Sequence, residues 1–308
     1  MKAVANTEVY RRFEGGVRLS RLRSLPLARA GIRTLARRKL PLVVLLAPLA
    51  IATVIFSFVV YTRFALEAGT TPSALGGEGG AAGALAATMM ASAAQNMIQV
   101  REMIVAVHLG TNVFSLLLMA WFGAGLIAED RRVGAHLLYF ARPLTKLDYL
   151  LGKFLTVAFF GALGALLPGL VICTVAAFAS PEWSFLKQES DVILATIGFG
   201  TLWTVLVSSV VLAVSSLASR RTFALVGVFA FVLFTGALAA ILAQVQRESD
   251  FRALSPFMSA ARVAAWMFDL GRGAPRWSLP WAWTSVGATV LLAWIVLAWR
   301  ARRLEVVA

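Results

Sequence analysis

The sequence predicts an all-α integral membrane protein, a bundle of six helical spans, on three observations. Of its 308 residues 59% are hydrophobic and only 14% charged, with a mean hydropathy of +0.80. Soluble domains run at roughly 45–50% apolar and about 25% charged, so too few charges remain here to cover a soluble surface. Six separate stretches are apolar over the roughly 20 residues that a helix needs to cross a hydrocarbon core. Third, the cations gather on alternate connections between those stretches, as orientation signals do.

Residues 1–39 are long and basic, and the first apolar run begins only after them. That arrangement suits a retained signal anchor better than a cleaved signal peptide. Within the segment Arg29, Arg33 and Arg37 repeat every four residues and so line one helical face, with Ala28, Ile32, Leu35 and Ala36 on another. A basic amphipathic helix ahead of a span is expected to lie along the membrane surface against lipid headgroups. The spans come at Leu40–Tyr61, Ile104–Ile127, Tyr149–Ala179, Val192–Leu217, Phe223–Val245 and Trp281–Trp299. The third is long enough to tilt or project, and Pro168–Gly169 within it predicts a kink, since proline removes a backbone donor.

With residues 1–39 inside, the inner segments carry 21 of the 29 Lys and Arg and the outer segments 8. The positive-inside rule then places both termini, including the 300–308 tail, in the cytoplasm of a bacterial inner-membrane protein with one transmembrane domain. Trp183, Trp266, Trp277, Trp281 and Trp283 fall in or beside the outer loops, where indoles favour the headgroup layer. Glycines recur in the spans (Gly161, Gly164, Gly198, Gly200, Gly227, Gly236), and small residues let helices approach closely in lipid.

The composition also bears on chemistry. Cations interleaved with long apolar runs do not make a nucleic-acid surface. Cys173, the only cysteine, lies in an apolar run and reads as a small buried hydrophobe. The first outer loop opens as a Gly/Ala-rich linker, and its second half, Ala81–Met103, has the composition to continue as a helix into the second span. Met89, Met90, Met97 and Met103 with His108 raise the question of Cu(I). They form no tight repeated motif, and methionine more often fills apolar gaps. Only His108 and His136 exist, each read as a satisfied interfacial histidine, and no acid sits centrally in a span. An intramembrane enzyme, which needs a nucleophile and base or a metal cluster, is therefore not expected. In the last outer loop Ser255–Pro256 reads as an N-cap followed by proline at the first helical position. The helix it opens carries Leu254, Phe257, Met258, Ala261, Ala265 and Phe268 as its apolar face and Ser259, Arg262 and Asp269 as its polar side.

The stretch from Gly125 to Leu155 is too polar to cross lipid and too patterned for a passive connector. Glu129–Asp130 closes the second span and Arg131–Arg132 come next. Val133, Leu137, Leu138 and Phe140 form a short apolar surface, and Arg142–Pro143–Leu144 breaks the helix because the residue before proline avoids helical geometry. Thr145 caps the next helix, with Asp148 three residues on as a capping box, and Tyr149, Leu150 and Lys153 lie in its first turns.

This stretch resembles the signature of type-two exporter permeases of the ABC transporter class. There a span ends in a Glu-containing turn, followed by a Gly, a Leu pair, a Pro-Leu step and a Tyr-Leu-Leu-Gly-Lys segment. The matching residues are Glu129, Gly134, Leu137, Leu138, Pro143, Leu144, Tyr149, Leu150, Leu151, Gly152 and Lys153. The resemblance implies a cytoplasmic coupling helix near Glu129–Leu144 that docks on a separate ABC ATPase, with Arg131 and Arg142 among the docking residues. It also implies an N-terminal helix adding to that contact and a second permease copy as partner. No G-x-x-x-x-G-K-[ST] loop occurs in the chain, so ATP and Mg are expected in the partner and no cofactor in this chain. The cargo, or a periplasmic partner receiving force, is left open. The alternative is a secondary transporter or channel working without an ATPase, against which the lack of central charges counts.

Overall fold

The computed structural model describes residues 24–67, 100–134, 145–271 and 275–302. Among them there is no strand. The helices are α1 (Ser24–Ala36), α2 (Lys39–Glu67), α3 (Val100–Gly123), α4 (Gly125–Arg132), α5 (Lys146–Gly161), α6 (Leu167–Ala179), α7 (Ser184–Gln188), α8 (Ser190–Leu217), α9 (Arg221–Val245), α10 (Pro256–Met267) and α11 (Leu279–Arg302). Six helical stretches are long and apolar enough to cross a membrane: Lys39–Ala65, Arg101–Arg132, Lys146–Ala179, Ser190–Leu217, Arg221–Val245 and Leu279–Arg302. Each predicted span lies inside one of them.

The second, third and fourth spans form the core and the others surround it. Two thirds of the most apolar window of the second and fourth is buried, against 22% for the first and sixth and 11% for the fifth. The outer three therefore show large apolar side chains such as Val54, Leu233, Phe234 and Leu292 on the surface. Exposed rows of this kind are what a lipid solvent accepts and water does not. In the core, Ile104, Leu118, Phe160, Phe199 and Leu206 are fully buried, and Phe122 stacks on Phe160 with ring centroids 4.5 Å apart.

The second span runs on past its predicted end. Glu129 and Asp130 are helical residues of α4 and not a closing turn, because the helix pauses only at Ala124 and resumes. The Ser215 hydroxyl of the fourth span inserts at that pause. It donates to the Ala124 carbonyl at 2.7 Å and accepts from Ile127 and Ala128 N–H, each at 3.2 Å. A side chain entering the backbone ladder is a recognised cause of a helix break. Gly134, at φ +70°, ends α4 in the left-handed conformation that glycine adopts without steric cost.

The third span is interrupted just before Pro168, by one π-helical turn over Ala162–Leu166. Leu167 N–H reaches back to the Ala162 carbonyl, and the missing proline donor is accommodated by that wider turn. Glycines let the neighbours close in: a Cβ at Gly164 would lie 3.0 Å from Ser115 of the second span, and at Gly200 it would lie 2.8 Å from Leu166. Gly236 faces open space and packs nothing.

The two predicted interfacial helices are docked on the bundle. In α1 Ala28, Ile32 and Leu35 of the expected face turn inward and Ala36 is exposed, while Ser24, Leu27 and Gly31 also turn inward, so the buried face extends to one side of the expected one. The cause is the third span: Gly31 meets Thr156 and Leu27 meets Gly152, each at the limit of contact, so protein and not lipid selects the face. In α10 the Ser255 cap accepts from Met258 N–H as expected. Of the expected apolar face Ala265 and Phe268 are buried, but Pro256, Ser259, Ala260, Val263 and Ala264 are buried with them, and Leu254 is turned outward. Ser259 is buried because it donates to the Ala253 carbonyl at 3.0 Å.

Candidate functional site

The polar side chains flanking the predicted docking stretch gather at one end of the bundle, the end bearing α1, Arg131, Lys153, Arg221 and Arg300. The Thr145–Asp148 capping box forms as expected: Asp148 N–H donates to Thr145 Oγ1 at 3.1 Å, and Thr145 N–H donates to Asp148 Oδ2 at 3.1 Å. The helix so started carries Tyr149 and Lys153 four residues apart, on one face. Tyr149, fully buried, donates its phenol to Asp130 Oδ2 at 2.9 Å. Lys153 Nζ lies 2.7 Å from the same oxygen and 5.5 Å from the Tyr149 ring. One carboxylate thus joins the second and third spans, and Gly152 on the same helix seats Leu27 of α1.

Two further ties complete this end. Arg131 Nη1 donates to the Ser216 carbonyl at 2.6 Å and Arg300 Nε donates to the same oxygen at 3.1 Å, linking the second, fourth and sixth spans. Arg221 Nη2 donates to the Trp121 carbonyl at 2.9 Å, with its guanidinium carbon 4.8 Å from the indole, linking the fifth span to the second. A cavity of about 240 Å3 opens between α1 and the spans, lined among others by Thr34, Arg38, Trp121, Glu129 and Arg221.

Of the residues expected to dock a partner, Glu129, Arg131 and Gly134 lie on or just after α4. Glu129 borders the cavity, and Arg131 is turned into the bundle by its bond to Ser216. Leu137, Leu138, Arg142, Pro143 and Leu144 lie outside the described residues, as do His136 and Met89, Met90 and Met97. Arg29 and Arg33 project from the exposed side of α1, and Arg37 comes after its last turn, also exposed. Sequence reasoning missed Asp130 as the hub. The available signal was an acid at the end of one span and a Tyr/Lys pair spaced i, i+4 at the start of the next.

The opposite end is tied as well. Arg101 bonds Asp191 at 2.7 Å and donates to the Phe268 carbonyl at 3.1 Å, joining the second span, the fourth span and the loop after α10. Between the two ends, His108, Asn112 and Ser115 share one face of α3 and are all buried. His108 is not the satisfied interfacial residue expected. It packs between Phe199 and Phe268, and neither ring nitrogen completes a hydrogen bond among the described residues. Asn112 Oδ1, Thr204 Oγ1 and Ser208 Oγ, also buried in the second and fourth spans, lack partners in the same sense. No known family model matches the chain, and no curated protein matches it at a significant level.

Proposed function

We propose that this chain is the membrane subunit of an ATP-driven transporter of the ABC class, an exporter or a transmitter of force. In this reading both termini and the basic end lie in the cytoplasm, and a separate ATPase holding ATP and Mg docks on the 129–144 region. The observation that carries the reading is the Asp130 junction. Residues 133–145 join two helices that share one partly buried carboxylate, so a load applied to that connection enters the second and third spans together. Arg131 then passes it to the fourth and sixth through the Ser216 carbonyl. Closure of the partners would move the spans between two states, and cargo would bias the states by its differential affinity. A second copy of the chain completes the unit, its contact drawn from the weakly buried outer spans, and a periplasmic partner is compatible with α10.

The unpartnered buried polar atoms of His108, Asn112, Thr204 and Ser208 favour a second reading, a carrier or channel without an ATPase, because buried polar groups in a span are costly unless something pairs them. Site-specific photo-crosslinking in cells separates the two. A photoreactive residue at Leu138 is expected to trap a Walker-motif ATPase, while one at the lipid-facing Ile241 does not. Trapping at neither position would leave the carrier reading.

A further inference from the structure

We infer that the crevice between α1 and the fifth span holds the phosphate headgroup of an anionic phospholipid. The crevice is a cavity with an apolar floor, Leu27, Leu35, Phe122, Leu126 and Trp121, of which Trp121 is partly exposed at the surface. Its rim is basic. Arg38 and Arg221 border it and repel one another, with Glu129 beside Arg221, while Lys153 and Asp130 are already engaged with each other. The lining thus carries Arg38, Lys153 and Arg221 against Glu129 and Asp130, one positive charge in excess, and Lys39 and Arg220, next to Arg38 and Arg221 in the chain, are exposed.

The geometry suits a phosphate and not a neutral ligand. Arg221 is pre-set: one guanidinium nitrogen is spent on the Trp121 carbonyl and its face on the indole, which fixes the direction of the remaining donors. Arg38 is exposed and can close over the ligand from the turn after α1. Two guanidinium groups converging on one oxyanion form strong, charge-assisted hydrogen bonds, and the phosphate removes the repulsion between them. The acyl chains would then run outward over the exposed face of Trp121. Such a site needs no ATPase partner; it requires only that the six stretches span a membrane.

Native mass spectrometry of the purified full chain, exchanged into equimolar phosphatidylglycerol and phosphatidylcholine, tests it. The wild type is expected to retain one phosphatidylglycerol per chain in preference to phosphatidylcholine. Arg38→Gln and Arg221→Gln should each lower that retention about tenfold. Arg252→Gln, which removes the guanidinium lying 5.6 Å from the Trp277 ring at the opposite end, should leave it unchanged. The Arg38 side chain is exposed at the surface, so its variant remains informative if Arg221→Gln folds poorly. Equal retention of the two lipids, or equal loss in Arg38→Gln and Arg252→Gln, overturns the proposal. Displacement of the lipid by inorganic phosphate at the same concentration would assign the site to a free anion and overturn the lipid source.

Discussion

Removing either member of the Asp130–Lys153 pair should weaken the protein far more than removing a surface charge pair. The Nζ···Oδ2 distance is 2.7 Å, and the side chains of Lys153 and Asp130 are 9% and 16% exposed. At an effective dielectric of about 20 the attraction at that distance is roughly 6 kcal/mol. Desolvation of each ion costs several kcal/mol, so the intact pair contributes little net. Deleting one partner is different, because the other keeps its desolvation penalty and loses its compensation. Such losses run at about 3–5 kcal/mol. Lys153→Met should fall at the low end, about 3 kcal/mol, because Tyr149 still donates to the carboxylate. Asp130→Asn should cost a similar amount by stranding the ammonium. The double variant should cost less than the sum of the two, with a coupling of about 2 kcal/mol in a double-mutant cycle. Reversible unfolding in mixed micelles reads all three stabilities. Single losses below about 0.5 kcal/mol, or strict additivity, would refute the idea that this carboxylate joins the two spans.

Three other sets of substitutions probe separate parts of the fold. Gly31→Val should lift α1 from the third span, since a Cβ at Gly31 meets the stiff, buried Thr156 at 2.7 Å. In a Cys173→Ala background, oxidative cross-linking of Leu27→Cys to Gly152→Cys should then be lost, while Gly236→Ala should leave it intact. Ser215→Ala should destabilise by about 2 kcal/mol in the same unfolding assay, because three backbone groups at the Ala124 pause lose their partner. Ser216→Ala should cost less, about 1 kcal/mol, because only the bond from its hydroxyl to the Ala213 carbonyl is lost, while Arg131 and Arg300 use its backbone carbonyl. Gly169→Ala brings a Cβ within 2.4 Å of His108 Nε2; it should cost about 1–3 kcal/mol, part of it recovered when His108→Ala is added.

The six spans were legible because each is a long apolar run, and lipid enforces that pattern independently of partners. The caps at Thr145 and Ser255 were legible for a similar reason: a cap is a local matter between residues three apart. Faces were harder. On α1 the arginine repeat marks the exposed side correctly, but the inward face turns on where Gly152 and Thr156 stand in another helix. On α10 Ser259 reads as polar and therefore outward, yet a carbonyl six residues back makes it a buried group. The second span reads as ending at Glu129–Asp130 because two acids look like an exit from lipid. Asp130 is instead neutralised by Lys153 of the next span, a pairing that shows only when the end of one span and the Tyr149/Lys153 spacing of the next are read together. The same holds for His108, since the glycine that makes room for it lies on a different span.

Co-purification tests the central claim most directly. The tagged chain, extracted in mild detergent as wild type and as Gly134→Arg and Leu138→Asp, is compared for bound proteins. A Walker-motif ATPase that comes with the wild type and is lost from both variants, each still folded as a monodisperse species, is the predicted result. A well-folded wild type that never brings an ATPase with it would contradict the account and leave a carrier or channel in its place.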